Sequence, residues 1–408
     1  MDVLQRLAAI EHRAAGSDAE RRGARLLAAE LRGLGRRGVR TQTFWTRPSW
    51  HGVHALIVAV GVAASVVSVS HARVGLGMAV GAFVVLALDL SGRLMPLRHL
   101  TFERATQNVV SLDRREDVPV RLVITTSTDV PRAILSTGGR FAGFTGRLRQ
   151  RLRGHLPSVH GLVMISLLAV IACCGVRAGG TDDRWLGVLQ LFPTVALLLA
   201  VGLFADSMTA GTGRQGAAAN AGAAAVALAL VAELDRKPPR ALAVDVVFAG
   251  AGDAHAAGMR RWVRAERRAR LRPEQVCVLH LAPCGVGPPV WWTREGLVIA
   301  LRYHPRLIEH CEQVARDESH LGARAHETRT TSGARAARAA GWPAIAIGSL
   351  PRSGVTAFGD ADSVERIDPA ALRDVLDLAL GMIARLDAEL SATAATAESR
   401  PAAVAAGG

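Results

Sequence analysis

Four apolar blocks, arranged as two tight pairs, constrain this chain more than any other feature. Residues 53–70 and 74–90 are separated only by His71, Ala72 and Arg73, and residues 156–176 and 185–205 only by the loop 177–184. Each member of the second pair runs 21 residues without a formal charge. At 1.5 Å per residue such a helix is about 31 Å long, enough to cross a hydrocarbon core of roughly 30 Å. The first pair is shorter, 18 and 17 residues, and carries Asp89 near its end. Helices of a large soluble core are the other explanation for such blocks, and it weighs more on the shorter pair. Two hairpins of similar form, in a chain whose mean hydropathy is +0.23 despite 21% charged residues, favour four membrane spans.

The arginines around the hairpins point the same way. Arg36, Arg37, Arg40 and Arg47 precede the first, and Arg93, Arg98 and Arg104 follow it. Arg140, Arg147, Arg149, Arg151 and Arg153 precede the second and Arg214 follows, whereas the tips carry only Arg73, Arg177 and Arg184. Thirteen against three is a positive-inside bias, so the expected location is a multi-pass cell-membrane protein with its globular part and both termini in the cytoplasm. The N-terminal residues are charged throughout and do not read as a cleavable signal peptide. The net charge of +14 is carried almost wholly by arginine, Lys237 being the only lysine, and much of it lies beside the spans. Topology accounts for it, and no nucleic-acid partner is expected. The stretch 139–156 alternates arginines with Phe141, Phe144, Leu148 and Leu152; an interfacial helix and a solvated linker are equally good readings of it. Five cysteines, with Cys173 and Cys174 adjacent in an apolar run, fit neither a disulfide framework nor a zinc ribbon. Gly61, Gly75, Gly77 and Gly81 permit close helix packing, within one chain or between two in a homo-oligomer.

With the hairpins (53–90 and 156–205) set aside, an α/β pattern remains over 1–50, 92–155 and 206–387. Residues 17–34 place Leu26, Leu27, Leu31 and Leu34 at helical spacing behind a Ser17 or Asp18 cap. Strands are expected at 108–112, 118–125, 243–249, 276–281, 297–301 and 344–347, and helices at 217–234, 255–270 and 368–386. The alternation predicts a mostly parallel sheet covered by helices on both faces. Residues 388–408, low in complexity, are expected to form a disordered tail. Trp291 and Trp292, next to Pro288 and Pro289, are either a partner-binding platform or part of the packing at a sheet edge.

The segments occur in a telling order: GSDAERRGARLLAAELRGLG from Gly16, QNVVSL from Gln107, VRLVITTSTD ending at Asp129, and GAAANAGA from Gly216. FAGAGDAHAAGM from Phe248, LHLAPCGVG from Leu279, SGARAARAAGWP from Ser332 and FGDADSVERID from Phe358 follow. This order and spacing resemble the di-zinc aminopeptidase family, which includes glutaminyl cyclases and non-catalytic receptor and scaffold members. The resemblance implies a zinc-aminopeptidase-like α/β fold with two inserted transmembrane hairpins.

It also implies where the chemistry should lie. A family member with activity needs two zinc ions held by His and carboxylates, and a glutamate to take a proton from bound water. Here the implied ligand positions hold Ser127, Ala219, Asp253, Ala282 and Phe358, and the general-base position is Gly252. Four of the five ligand positions have lost any usual zinc donor, so no cofactor is expected. Asp129, Asn220, Gly258, Gly341, Pro343, Asp362 and Asp368 are retained scaffold positions. The implied function is a membrane-anchored binding or scaffolding pseudoenzyme whose old cleft receives a lipid, a peptide or a membrane protein. The alternative is a membrane-bound zinc hydrolase with a rearranged metal site, the one reading in which zinc is expected. Its donors would come from Asp253, His255, His280 and Cys284 with Asp129 opposite, and with Asn220 these residues would line the pocket. A serine nucleophile at Ser127 lacks the G-x-S-x-G setting.

Overall fold

The computed structural model describes residues 1–92, 94–115, 118–132, 148, 157–181, 183–209, 211, 213–269, 271–352, 354 and 361–398. The stretch 139–156 apart from Leu148, Phe358 and residues 399–408 lie outside the described residues.

Helices are α1 (Asp2–Ala8), α2 (Asp18–Gly33), α3 (Trp50–Val67), α4 (Ala72–Ser91), α5 (Val159–Ala178), α6 (Arg184–Thr209), α7 (Gly222–Arg236), α8 (Ala257–Arg268), α9 (Pro305–Asp317), α10 (Gly333–Ala339) and α11 (Pro369–Glu398). Strands are β1 (Arg40–Thr46), β2 (Arg104–Ser111), β3 (Val120–Ser127), β4 (Leu242–Ala249), β5 (Val276–Leu281), β6 (Pro289–Glu295), β7 (Leu301–Arg302), β8 (Arg324–Thr328) and β9 (Ala344–Ser349). They form one sheet in the order β1-β2-β4-β3-β5-β9-β6-β7, with β8 against β6.

The sheet is mixed rather than mostly parallel. β4, β3, β5 and β9 run parallel at its centre, where helices make the crossovers, while β1/β2, β2/β4, β9/β6 and β6/β7 are antiparallel. The central strands are apolar and buried end to end, as strands covered on both faces must be. Helices α2, α7 and α11 lie over one face, and α8 and α10 over the other. Ser17 caps α2, its hydroxyl accepting from the Glu20 amide at 3.0 Å. Trp291 and Trp292 are buried in β6 within this core. The strand expected at 297–301 is a bend from which only Leu301 enters a strand, and Ile299 is left 73% exposed. The last helix continues to Glu398, past the boundary expected at 388.

Among the described residues, five helices are long and apolar enough to cross a membrane. Four are the expected blocks, α3 to α6. The fifth, Ala217–Arg236, has 72% of its apolar window buried and belongs to the α/β core. Helices α3 to α6 pack in a ring, α3 against α4 and α6, and α5 against α4 and α6. This bundle has an apolar core of its own, with Ile57, Val58, Leu86, Leu167 and Leu197 fully or nearly fully buried. Its outer surface is apolar too: Leu56, Val66, Val80, Ile165, Leu168, Phe192, Leu198 and Leu199 are exposed. A ring of helices that is apolar inside and out suits a bilayer rather than water.

Both hairpins leave the sheet at the same edge. The first interrupts the turn joining β1 to β2, and the second follows β3; β1 runs in the same sense as β3, so both strands end there. Open α/β sheets commonly bind ligands at the carboxyl ends of their parallel strands, and the bundle stands at that edge.

Candidate functional site

Ser127 is the last residue of β3, and the chain then turns through Thr128 to Asp129, which is buried. Both Asp129 oxygens accept backbone hydrogen bonds from the β4–α8 loop, Oδ1 from the Gly252 amide at 2.6 Å and Oδ2 from the Asp253 amide at 2.8 Å. That loop is also pinned by Glu20, whose Oε1 accepts from the Ala251 amide at 2.7 Å, and by Asn108, whose Oδ1 accepts from the Gly250 amide at 3.0 Å. These bonds hold Ala251, His255 and Ala256 in the left-handed region, at φ 53°, 56° and 55°. A non-glycine residue adopts that backbone only where its surroundings over-determine it. At Gly252 there is no room for a side chain. A Cβ there would overlap the Ser127 hydroxyl and stand 2.7 Å from Ser127 Cβ and 3.0 Å from Asp129 Oδ1.

The half-buried Asp253 carboxyl is pushed up to about 7, first by burial and then by the neighbouring Asp129 charge. Ala219 lies in a π turn, Ala217–Ala221, just before α7. Asp362 holds this turn, accepting from the amides of Ala218 at 2.6 Å and Ala219 at 3.0 Å. Asn220 joins it to β3 by donating to the Ser127 carbonyl, and to Arg13 by accepting from its guanidinium at 3.0 Å. The structure therefore brings Ser127, Asp129, Asn220, Gly252 and Asp253 together.

Of the remaining pocket residues, Cys284 meets the same π turn, its amide donating to the Ala218 carbonyl at 2.9 Å, whereas the His280 and His255 side chains point away. His280 points under α10, where a Cβ on Gly333 would come 3.0 Å from its Nδ1; burial alone lowers its pKa to about 4. Cys284 is fully buried, its thiol donating to the Ala282 carbonyl at 3.0 Å, and burial pushes the thiol pKa up. Ala282 is buried at the end of β5 and has no donor atom. His255 turns toward the bundle, with its ring centre 5.0 Å from that of Trp50. Burial, and next the Arg98 charge, hold its pKa well below the ordinary imidazole value.

That junction is the part of the site not anticipated from the sequence. Trp50 at the start of α3 donates from Nε1 to the Asp253 carbonyl at 3.0 Å. Beside it, buried His54 meets the Asp89 carboxylate at 2.6 Å through Nε2 and His160 Nε2 at 3.1 Å through Nδ1. Arg98 grips Asp89 with Nε at 2.9 Å and a terminal nitrogen at 2.8 Å. Among the described residues, one trio of His, Cys, Asp or Glu side chains brings its donor atoms within 4.8 Å of one another: His54, Asp89 and His255. The available signal was polar residues inside apolar spans, which are costly there unless they serve a purpose.

No protein-family model matches the chain, and neither does any curated protein sequence. Solved structures do match in fold. Porphyromonas gingivalis glutaminyl cyclase superposes with a TM-score of 0.52 at 13% identity, covering 95% of this chain and 96% of its own. Tannerella forsythia glutaminyl cyclase gives 0.52 at 13%, covering 94% and 96%. A leucine aminopeptidase precursor from Bacteroides thetaiotaomicron VPI-5482 gives 0.50 at 11%, covering 93% and 94%. The chain thus has a mixed α/β fold of the glutaminyl cyclase and aminopeptidase type.

Proposed function

We propose that this chain is a membrane-anchored protein whose aminopeptidase-like domain has lost zinc-dependent peptide hydrolysis and acts by binding at its former cleft. One observation carries the reading: the place of the general base is closed. Gly252 packs so tightly on Ser127 and Asp129 that no glutamate fits, and the Asp129 carboxylate spends both oxygens on the loop backbone. The surrounding residues do not fit a zinc pair either. Ala219 and Ala282 offer no lone pair, and Ser127 is a poor substitute for histidine. Phe358, at the remaining ligand position of the resemblance, has no donor in its side chain.

The bundle supports a membrane location, through its apolar outer surface and its place over the carboxyl edge of the sheet. The arginine bias supports a cytoplasmic face for the domain. A cleft at this position faces the bilayer surface and suits a lipid headgroup, a peptide or a segment of a neighbouring membrane protein.

The test is hydrolysis of leucine p-nitroanilide, and cyclisation of an N-terminal glutaminyl peptide, by the full chain in detergent. The expected result is no turnover above buffer. Turnover that o-phenanthroline abolishes and Asp253→Asn removes would establish a working metallohydrolase instead. Orientation is read by fusing a reporter that is active only outside the cytoplasm to the C-terminus, which should stay silent.

A further inference from the structure

We propose that the junction between the C-terminal end of α4 and helices α8 and α10 binds the phosphate of an anionic phospholipid headgroup, through the guanidinium groups of Arg260, Arg264 and Arg335. The proposal rests on the reading of the bundle as membrane-spanning with the domain on its cytoplasmic side. It uses none of the residues at the former cleft.

The three arginines come from two helices that pack together on one face of the sheet: Arg260 and exposed Arg264 lie one turn apart on α8, and Arg335 lies on α10. A Cβ on Gly333 would stand 3.3 Å from Met259 Cγ, so the start of α10 meets α8 beside Arg260. The Arg260 guanidinium lies over Gly92, the left-handed residue (φ 65°) that ends α4, where a Cβ would overlap it. From that place its Nη2 donates to the Ser91 carbonyl at 2.9 Å, which serves the last turn of the span. Its Nη1, like Nε of Arg335, is buried with no hydrogen-bond partner. Such atoms are costly and call for a reason.

The surrounding charges deepen the deficit. Burial, and then Arg335, Arg98 and Arg264, lower the Arg260 pKa to about 10. Asp89 acts on Arg260 and Glu295 on Arg335, but both acids are engaged elsewhere. Asp89 is held by Arg98 at 2.8 Å, and Glu295 accepts from Ser332 at 2.6 Å, Thr330 at 3.1 Å and Tyr303. A cluster of like charges with unpartnered donors is matched by a group with several anionic oxygens, and guanidinium groups grip phosphate in a planar, bidentate way. The setting selects the source of that phosphate. Ser91 ends an apolar span, and in the segment that leaves it Leu94, Leu100 and Phe102 are exposed, Phe102 by 89%. Exposed apolar side chains beside a basic cluster at the foot of a span suit the acyl chains and headgroup of a lipid; a free phosphate ion would leave them in water.

The test uses the full chain in detergent, delipidated and then titrated with dioleoyl phosphatidylglycerol or dioleoyl phosphatidylcholine, with bound lipid counted by native mass spectrometry. The expected result is a single phosphatidylglycerol bound about 10-fold or more tighter than phosphatidylcholine, the worth of one charge-assisted contact. Arg335→Gln should weaken that binding about 10- to 100-fold. Arg260→Gln, whose amide can still donate to Ser91, should do the same. Arg236→Gln, exposed on α7, should leave it unchanged. Gel filtration checks that each variant folds, and Arg335→Gln decides the matter where Arg260→Gln does not. Equal retention of the two lipids, or parent-like binding in folded Arg335→Gln, would overturn the site. So would displacement of the lipid by inorganic phosphate at equal concentration, which would make it a site for the free ion. Alkaline carbonate extraction of membranes separates this proposal from the membrane reading. A chain that stays in the pellet yet shows no lipid preference refutes the headgroup site alone, whereas a released chain refutes both.

Discussion

Trp50 and Asp253 are joined by a hydrogen bond of 3.0 Å from the indole Nε1 to the loop carbonyl. It ties the first residue of α3 to the β4–α8 loop that carries Gly252 and Asp253. The bundle is therefore more than a tether: its first helix helps to hold the loop at the proposed binding site.

Under the proposed function, a glutamate at position 252 should damage the protein without bringing peptidase activity. Gly252→Glu puts a Cβ against Ser127 and Asp129, and such overpacking costs about 1–3 kcal/mol. Denaturant unfolding in detergent should show that loss, and peptidase assays should stay blank. A stable, active Gly252→Glu variant would contradict the closed site.

The pH dependence of stability has a definite direction. The folded Asp253 carboxyl titrates at about 7, well above its unfolded value of about 3.9, so the folded state holds a proton that the unfolded state has already released. Its stabilising contribution is full below about pH 4, declines as pH rises to about 7, and is flat beyond. Asp253→Asn keeps the neutral form at every pH. Melting temperatures at pH 5 and pH 8 should therefore differ less in the variant than in the parent chain; an equal difference would count against this assignment.

Arg13 is fully buried, donating to the Ile10 carbonyl at 2.7 Å, the Gln215 carbonyl at 3.0 Å and Asn220 Oδ1 at 3.0 Å, with Asp129 and Asp362 as charge partners. Removing it strands those groups, and losing one member of a buried charged network costs about 3–5 kcal/mol. Arg13→Ala should unfold at markedly lower denaturant, and Arg13→Lys should recover little because an ammonium cannot reproduce the planar fork. An alanine variant as stable as the parent would remove Arg13 from this role.

The glycines of the first hairpin should divide into two classes. A Cβ on Gly75 would stand 2.7 Å from the Ala64 carbonyl oxygen and from Ser68 Cα, backbone atoms that cannot step aside, whereas Gly77 and Gly81 have nothing within 4 Å. Gly75→Ala should destabilise the bundle by about 1–3 kcal/mol. Gly77→Ala and Gly81→Ala should leave it unchanged or stabilise it by up to about 1 kcal/mol, the difference in helix propensity. Equal behaviour of the three in detergent unfolding would argue against the observed helix contact.

The sequence pattern carried the four long apolar helices, the Ser17 cap and the buried central strands, because each is specified by residues close together in the chain. It did not reveal β1 or β8, edge strands whose residues are mostly exposed or half-buried and show no apolar run. The apolar residues at 297–301 misled for the opposite reason. They form a surface bend at the start of α5, where the Ser158 hydroxyl donates to the Leu297 carbonyl. Among the site residues, Ser127, Asp129, Asn220, Gly252 and Asp253 were singled out by the order of the motifs, and the structure brings these five together. The His54, Asp89 and His160 cluster was not: its members stand 35 and 106 positions apart, and only the ring of helices brings them together.

The bundle also holds a polar knot far from the domain, in which Gln190 donates to the Ser65 carbonyl at 2.9 Å and the Ser68 hydroxyl at 2.9 Å, across 125 and 122 residues of chain. For a bundle assembled in lipid, that separation sets an order of events. The serine pair leaves the ribosome long before its glutamine exists and has to wait in hydrocarbon. Ser68 makes the wait tolerable by donating to the Ser65 carbonyl of its own helix at 2.7 Å. The late hairpin then arrives to find one rotational setting at which its amide is accepted.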